Sequence, residues 1–170
     1  MKLIVLLRDP VDRAYSHYQH MVRTGKEPLP FEAAIDAEAS RLVGELERLA
    51  QGRPAPGGTG RGGALKNHSY IARSQYAPQL QDWLRHFDRS QLLVLKAEQV
   101  FAEPGSALDM TARFLGLEAM PPSNYAWLNR GMSTQLDPHI RAAIMPRFAD
   151  SSAWLEAEFG MSWPAAAKPL

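Results

Sequence analysis

The sequence contains no cysteine. Disulfides and thiolate metal sites are therefore excluded, and a reducing compartment is permitted. An excess of one charge is also missing: 19 Lys and Arg against 18 Asp and Glu leave a formal net charge of +1. That balance gives no global case for nucleic acid or a membrane surface as a partner. No long apolar run is present. The leading one, Leu3-Ile4-Val5-Leu6-Leu7, is far too short to span a bilayer, and no small-residue cleavage site follows it. We therefore expect a cytoplasmic protein. His17, His20, His68, His86 and His139 show no metal-ligand spacing with Asp or Glu, so no metal is expected. His68 has no carboxylate partner suggested nearby and reads as a surface histidine.

What is present fits one soluble globular domain over residues 1–170, with 45% hydrophobic and 22% charged residues. Charge is uneven locally. Residues 1–26 carry Lys2, Arg8, Arg13, Arg23 and Lys26 against Asp9 and Asp12. Residues 52–75 carry Arg53, Arg61, Lys66 and Arg73 with no acid. The two basic stretches can face one anionic ligand, or be two solvated surfaces.

The stretch Lys2–Tyr18, KLIVLLRDPVDRAYSHY, organises the chain. Five branched apolar residues ended by a turn signal predict a fully buried strand to about Leu7. Asp9 is a good N-cap and Pro10 suits a first helical position, so a helix is predicted from about Pro10. Arg8 is left at the carboxyl end of the strand, where open α/β sheets bind ligands. Ser16 follows eight residues later, on nearly the same helix face. A guanidinium and a hydroxyl so spaced can converge on a phosphate monoester. The alternative stays open: Arg8 pairs with Asp9 or Asp12, and Ser16 merely lines a helix.

Further on, Phe31, Ile35, Leu42, Leu46 and Leu49 predict one amphipathic helix to about Ala50. Residues 52–63, GRPAPGGTGRGG, hold six of the twelve glycines and read as a flexible loop. It is not a P-loop, because it lacks the Gly-Lys-Ser/Thr ending and no strand precedes it. Tyr76, Leu80, Trp83, Leu84 and Phe87 form a helix stripe that is mostly core. Gln91–Leu95 predicts a second buried strand. Helix, then strand, then another strand-end turn is the rhythm of a parallel sheet with crossover helices. Ser106 can cap a helix with Leu108, Ala112 and Leu115 on its inner face, stopped by Gly116. Asp137-Pro138 repeats the cap signal, and a last helix around Trp154, Leu155 and Phe159 ends at Gly160.

RDPVDRAYSHYQH resembles the 3′-phosphate-binding segment of sulfotransferases that use 3′-phosphoadenosine-5′-phosphosulfate (PAPS). LLVLKAEQVFAEPGSALDMTARFLGLE is similar to the same carbohydrate branch, especially heparan sulfate N-sulfotransferases and bacterial relatives. The resemblance implies an α/β fold: a P-loop-NTPase-like parallel sheet with flanking helices, here the carboxyl-terminal portion of a sulfotransferase domain. It implies that Arg8 and Ser16 hold the 3′-phosphate and that Tyr76 packs the adenine. Arg130 and Gly131 would wrap the nucleotide, although the family's stronger run of basic residues there is only partly present. The implied co-substrate is PAPS, leaving adenosine 3′,5′-bisphosphate. The implied acceptor is a hydroxyl or amine on a carbohydrate or other small molecule.

The family's Gly-rich phosphosulfate loop with its Lys, and a catalytic Glu or His, are not visible, so the catalytic residues are unknown. A sheet without its first strands is expected to expose strand edges and an apolar face, and to dimerise or need a companion segment. The alternative function is a non-catalytic nucleotide-binding or interaction module that retains the 3′-phosphate half-site alone.

Overall fold

The computed structural model describes residues 1–53, 63–118 and 136–163. The chain divides into two compact units. The first comprises Met1–Asp9, Tyr76–Gln135 and Ala149–Leu170, and the second Pro10–Gln75 and Leu136–Phe148.

The first unit is α/β. Strands β1 (Leu3–Leu7) and β2 (Leu92–Lys96) pair in parallel, with Leu3 opposite Leu92 and Leu7 opposite Lys96. The parallel pairing agrees with the expected rhythm. Gln91 is not in the strand; it closes a short 3₁₀ turn, where its side-chain oxygen accepts the Asp88 N–H at 2.9 Å.

Helices α5 (Tyr76–Leu84) and α9 (Ala149–Phe159) supply Tyr76, Leu80 and Leu155 to a core shared with Leu7, Leu92 and Met161. Leu3 and Val5 pack on the same core, while Ile4 and Leu6 stay 45% and 50% exposed. So β1 is not buried on both faces. Its pleat sends alternate side chains to opposite sides, and the core covers one of them. Trp83 also departs from expectation. It lies at the margin of its stripe and keeps 42% of its surface exposed, as so large a ring often does at the rim of a core.

Helix α6 (Ala97–Ala102) follows β2 directly, where a turn was expected, and α7 (Pro104–Leu115) follows it. α7 begins two residues before the anticipated Ser106 cap, because Pro104 fits the first helical position. Ala112 on its inner face is buried, but Leu115 is 40% exposed. Gly116 ends the helix in the left-handed conformation, φ 77°.

The second unit is helical. Helix α1 (Pro10–Arg23) buries Val11, Ala14 and Met21 against Phe31, Ala34 and Ile35 of α2 (Phe31–Leu42). Tyr15 and Tyr18 flank the Phe31 ring at 5.0 and 4.9 Å between centroids. The long helix expected to Ala50 is broken. α2 stops at Leu42, Gly44 takes φ +73°, and α3 (Glu45–Ala50) starts anew.

α4 (Gly63–His68) leads into a 3₁₀ turn at Ala72–Ser74. α8 (Pro138–Ile144) opens as expected, with Asp137 Oδ1 accepting the His139 N–H at 2.7 Å. Its Ile144 and the following Phe148 complete the core around Tyr70.

Candidate functional site

In the first unit, Arg8 directly follows β1, and its backbone is well held. The Tyr76 hydroxyl donates to the Arg8 carbonyl at 3.0 Å. The next N–H, of Asp9, donates to Glu98 Oε1 at 2.8 Å, and Glu98 Oε2 accepts the Trp163 indole N–H at 3.1 Å. The Arg8 side chain is half-buried, and its Nε is buried without a hydrogen-bond partner. A charged donor in that condition favours any oxyanion that reaches it.

Tyr76, expected against an adenine, is 6% exposed in the core and lies 6.4 Å from the Trp163 ring centroid. Its hydroxyl fixes the strand end that carries Arg8. Arg130 and Gly131 lie outside the described residues. The first unit also holds a cleft of about 350 Å³ lined by Leu95, Lys96, Val100, Glu103 and Met110, among others, where β2, α6 and α7 come together.

In the second unit, Ser16 is exposed on α1. Asp12, one of the partners considered for Arg8, is ion-paired with the buried Arg141. Arg13 is a structural tie: its Nε donates to Ser74 Oγ at 2.5 Å, and one terminal nitrogen reaches the Ser69 and Tyr70 carbonyls at 3.2 and 2.6 Å. These bonds fix the 69–74 turn against α1.

The sequence reading of His68 is corrected here. Its side chain is only 19% exposed, and Nδ1 lies 3.3 Å from Oε2 of Glu27, a carboxylate 0% exposed. Arg41 donates to both Glu27 oxygens, at 2.5 and 3.1 Å. The Tyr70 hydroxyl donates to Oε2 at 2.8 Å, and the Leu29 N–H to Oε1 at 3.0 Å. Burial alone would raise the Glu27 carboxyl. The Arg41, Tyr70 and Leu29 donors outweigh it and hold the group down at about 2. Burial, then the Glu27 hydrogen bond, push the Tyr70 phenol up. Glu27 sits 41 positions before His68, on the turn after α1, and neither periodicity nor a motif joined them.

His17 neighbours this cluster. Its Nε2 lies 3.1 Å from the Lys66 carbonyl, and its Nδ1 is buried without a partner. Burial first, then the positive charges of Arg13 and Arg73, lower the imidazole to about 4. A pocket of about 240 Å³ opens at Lys26, Gly63, Lys66, Asn67 and His68. Among the described residues no group of His, Asp or Glu is arranged to hold a metal ion, and no helix is long and apolar enough to cross a membrane.

The family described as "Sulfotransferase domain" matches residues 1–140. The chain belongs to the sulfotransferase family. Among similar sulfotransferases, the human bifunctional heparan sulfate N-deacetylase/N-sulfotransferase 3 is 30% identical over 128 residues, 74% of this chain and 12% of that protein. Human heparan sulfate glucosamine 3-O-sulfotransferase 3B1 is 28% identical over 129 residues, 76% of this chain and 28% of that protein. The crystal structure of a sulfotransferase from Alicyclobacillus acidocaldarius superposes with a TM-score of 0.64 at 28% identity, covering 95% of this chain and 56% of that one. This sulfotransferase-family chain thus spans about an eighth to a quarter of the two human relatives and just over half of the bacterial structure.

Proposed function

We propose that the chain is the nucleotide-holding part of a PAPS-dependent sulfotransferase acting on a carbohydrate hydroxyl or amine. In this reading the acceptor oxygen or nitrogen attacks the donor sulfur, and the bond from sulfur to the bridging phosphate oxygen breaks. Adenosine 3′,5′-bisphosphate leaves with the bond electrons, and the acceptor proton passes to a base this reading does not assign. Such transfer depends on alignment and charge stabilisation. Arg8 takes the 3′-phosphate. Tyr76 acts through Arg8, because its hydroxyl holds the Arg8 carbonyl.

The observation that carries this reading is Arg8 itself: a half-buried strand-end guanidinium whose Nε has no hydrogen-bond partner. Membership of the sulfotransferase family and relatives named for heparan sulfate support the donor and the acceptor class. Arg8→Ala should weaken adenosine 3′,5′-bisphosphate binding by about 1.5–3 kcal/mol, the scale for a hydrogen bond to a charged group. Titration calorimetry on the wild type and the variant measures this, and equal affinities would refute the role.

A further inference from the structure

The Arg8 carbonyl and the Asp9 N–H belong to one planar peptide group. That group is held at both ends. Its oxygen accepts the Tyr76 hydroxyl at 3.0 Å, and its N–H donates to Glu98 Oε1 at 2.8 Å. Just before it, Leu7 is registered opposite Lys96 in the sheet. The Arg8 Cα is therefore bracketed by fixed backbone on both sides, and only its side-chain torsions stay soft.

The clamp has support of its own. Trp163 donates its indole N–H to Glu98 Oε2 at 3.1 Å, so each carboxylate oxygen is directed by a neutral donor. The same indole lies 6.4 Å from the Tyr76 ring and 5.5 Å from Lys96 Nζ, which donates to the Ser162 carbonyl at 2.5 Å. Side chains from α5, α6 and the segment after α9 thus converge on a single peptide.

What sets this peptide apart is the side chain it carries. Arg8 Nε is buried without a hydrogen-bond partner, so no bond at that atom aims the guanidinium. Its direction must come from its root. A paired contact between guanidinium and phosphate is directional. Sites of that kind hold their groups to within about 0.5 Å, through bonds made behind the contacting residue.

We propose that Glu98, steadied by Trp163, works with Tyr76 as a clamp that aims Arg8 and so sets the preference for a nucleotide bearing a 3′-phosphate. Glu98 and Trp163 are positioning residues that act through Arg8. This inference rests on the nucleotide reading above.

The test is titration calorimetry on the whole chain with two ligands, adenosine 3′,5′-bisphosphate and adenosine 5′-monophosphate. Their affinity ratio isolates the 3′-phosphate. Arg8→Ala should collapse the ratio. Tyr76→Phe and Glu98→Ala should each lower it about tenfold, a coupling within the usual range for residues in contact. Monophosphate affinity should not fall with it. Glu98→Gln, whose amide oxygen still accepts the Asp9 N–H, should recover most of the loss. In an Arg8→Ala background Tyr76→Phe and Glu98→Ala should change nothing further. If circular dichroism shows Glu98→Ala unfolded, Trp163→Phe replaces it, with the ratio again expected to fall.

A parallel loss for both ligands would make the residues merely structural and overturn the proposal. So would an unchanged ratio in Tyr76→Phe and Glu98→Ala, or an undiminished drop in the Arg8→Ala background. If Arg8→Ala lowers the ratio while the clamp variants stay silent, the nucleotide reading stands and the clamp alone is lost. If Arg8→Ala leaves the ratio intact, or the wild type binds no bisphosphate, the nucleotide reading fails and takes the clamp with it.

Discussion

In each unit a carboxylate ties separate segments together, but Glu98 and Glu27 do so in different company. In the first unit Glu98 accepts two neutral donors, the Asp9 N–H and the Trp163 indole. In the second Glu27 is fully enclosed and meets a guanidinium, a phenol, a backbone N–H and an imidazole. The first unit is an apolar α/β layer with a few polar pins at the strand end. The second is a helical core wrapped around an ionic network. Neutral pins cost little desolvation and add little when made. An enclosed ion pair contributes only while complete, and removing one partner leaves the other charge stranded.

That contrast is broken most directly at Glu27. Glu27→Gln keeps the shape but strips the charge from opposite Arg41, and turns an amide N–H₂ toward donors. We expect a loss of about 3 kcal/mol, the low end for a broken buried pair because Arg41 is partly solvated. Urea unfolding followed by far-UV circular dichroism measures it. A loss below about 1 kcal/mol would show that the network is dispensable.

The corresponding change in the first unit, Glu98→Gln, should cost only about 1–1.5 kcal/mol, one hydrogen bond's worth. Its amide oxygen can still accept the Asp9 N–H, and only the indole contact is lost. The described tryptophans, Trp83, Trp154 and Trp163, all belong to the first unit, so their emission reports on it. A cost equal to that of Glu27→Gln would erase the distinction between the units.

The same contrast explains what could be read from the sequence. The β1-to-α1 junction, the Asp137-Pro138 cap and the stops at Gly116 and Gly160 are encoded within a few residues of each other, and they stand where the spacing placed them. Gly44 was not legible as a break, because a single glycine inside a helical pattern is tolerated and Leu46 and Leu49 carry the same period onward. Burial on one face of β1 could not be told from burial on both: a five-residue apolar run fits either.

At the candidate site, Arg8 was legible from its strand-end position. The Glu27, Arg41, His68 and Tyr70 cluster was not. Its members lie on three separate segments, the turn after α1, α2 and the end of α4, and the sequence carries no signal that a turn carboxylate will be enclosed. A weak signal did exist for the pocket: residues 52–75 hold four basic side chains and no acid.

The smallest effect concerns pH, and it separates the units most cleanly. The folded chain holds the His17 imidazole at about 4 against an ordinary 6.5, through burial and then Arg13 and Arg73. Between those values the unfolded chain binds a proton that the folded chain refuses. Stability therefore falls as pH drops from 6.5 toward 4 and is fully retained above 6.5. Glu27, held at about 2 against 4.5, adds a separate acid step, lost as pH falls from 4.5 toward 2. From pH 7.5 to pH 6 only His17 acts among these two, and its share should be about 1 kcal/mol or less. The comparison is with His17→Gln. Urea midpoints at the two pH values should move less in the variant than in the wild type. Identical shifts would mean that the imidazole does not feel its burial or the Arg13 and Arg73 charges.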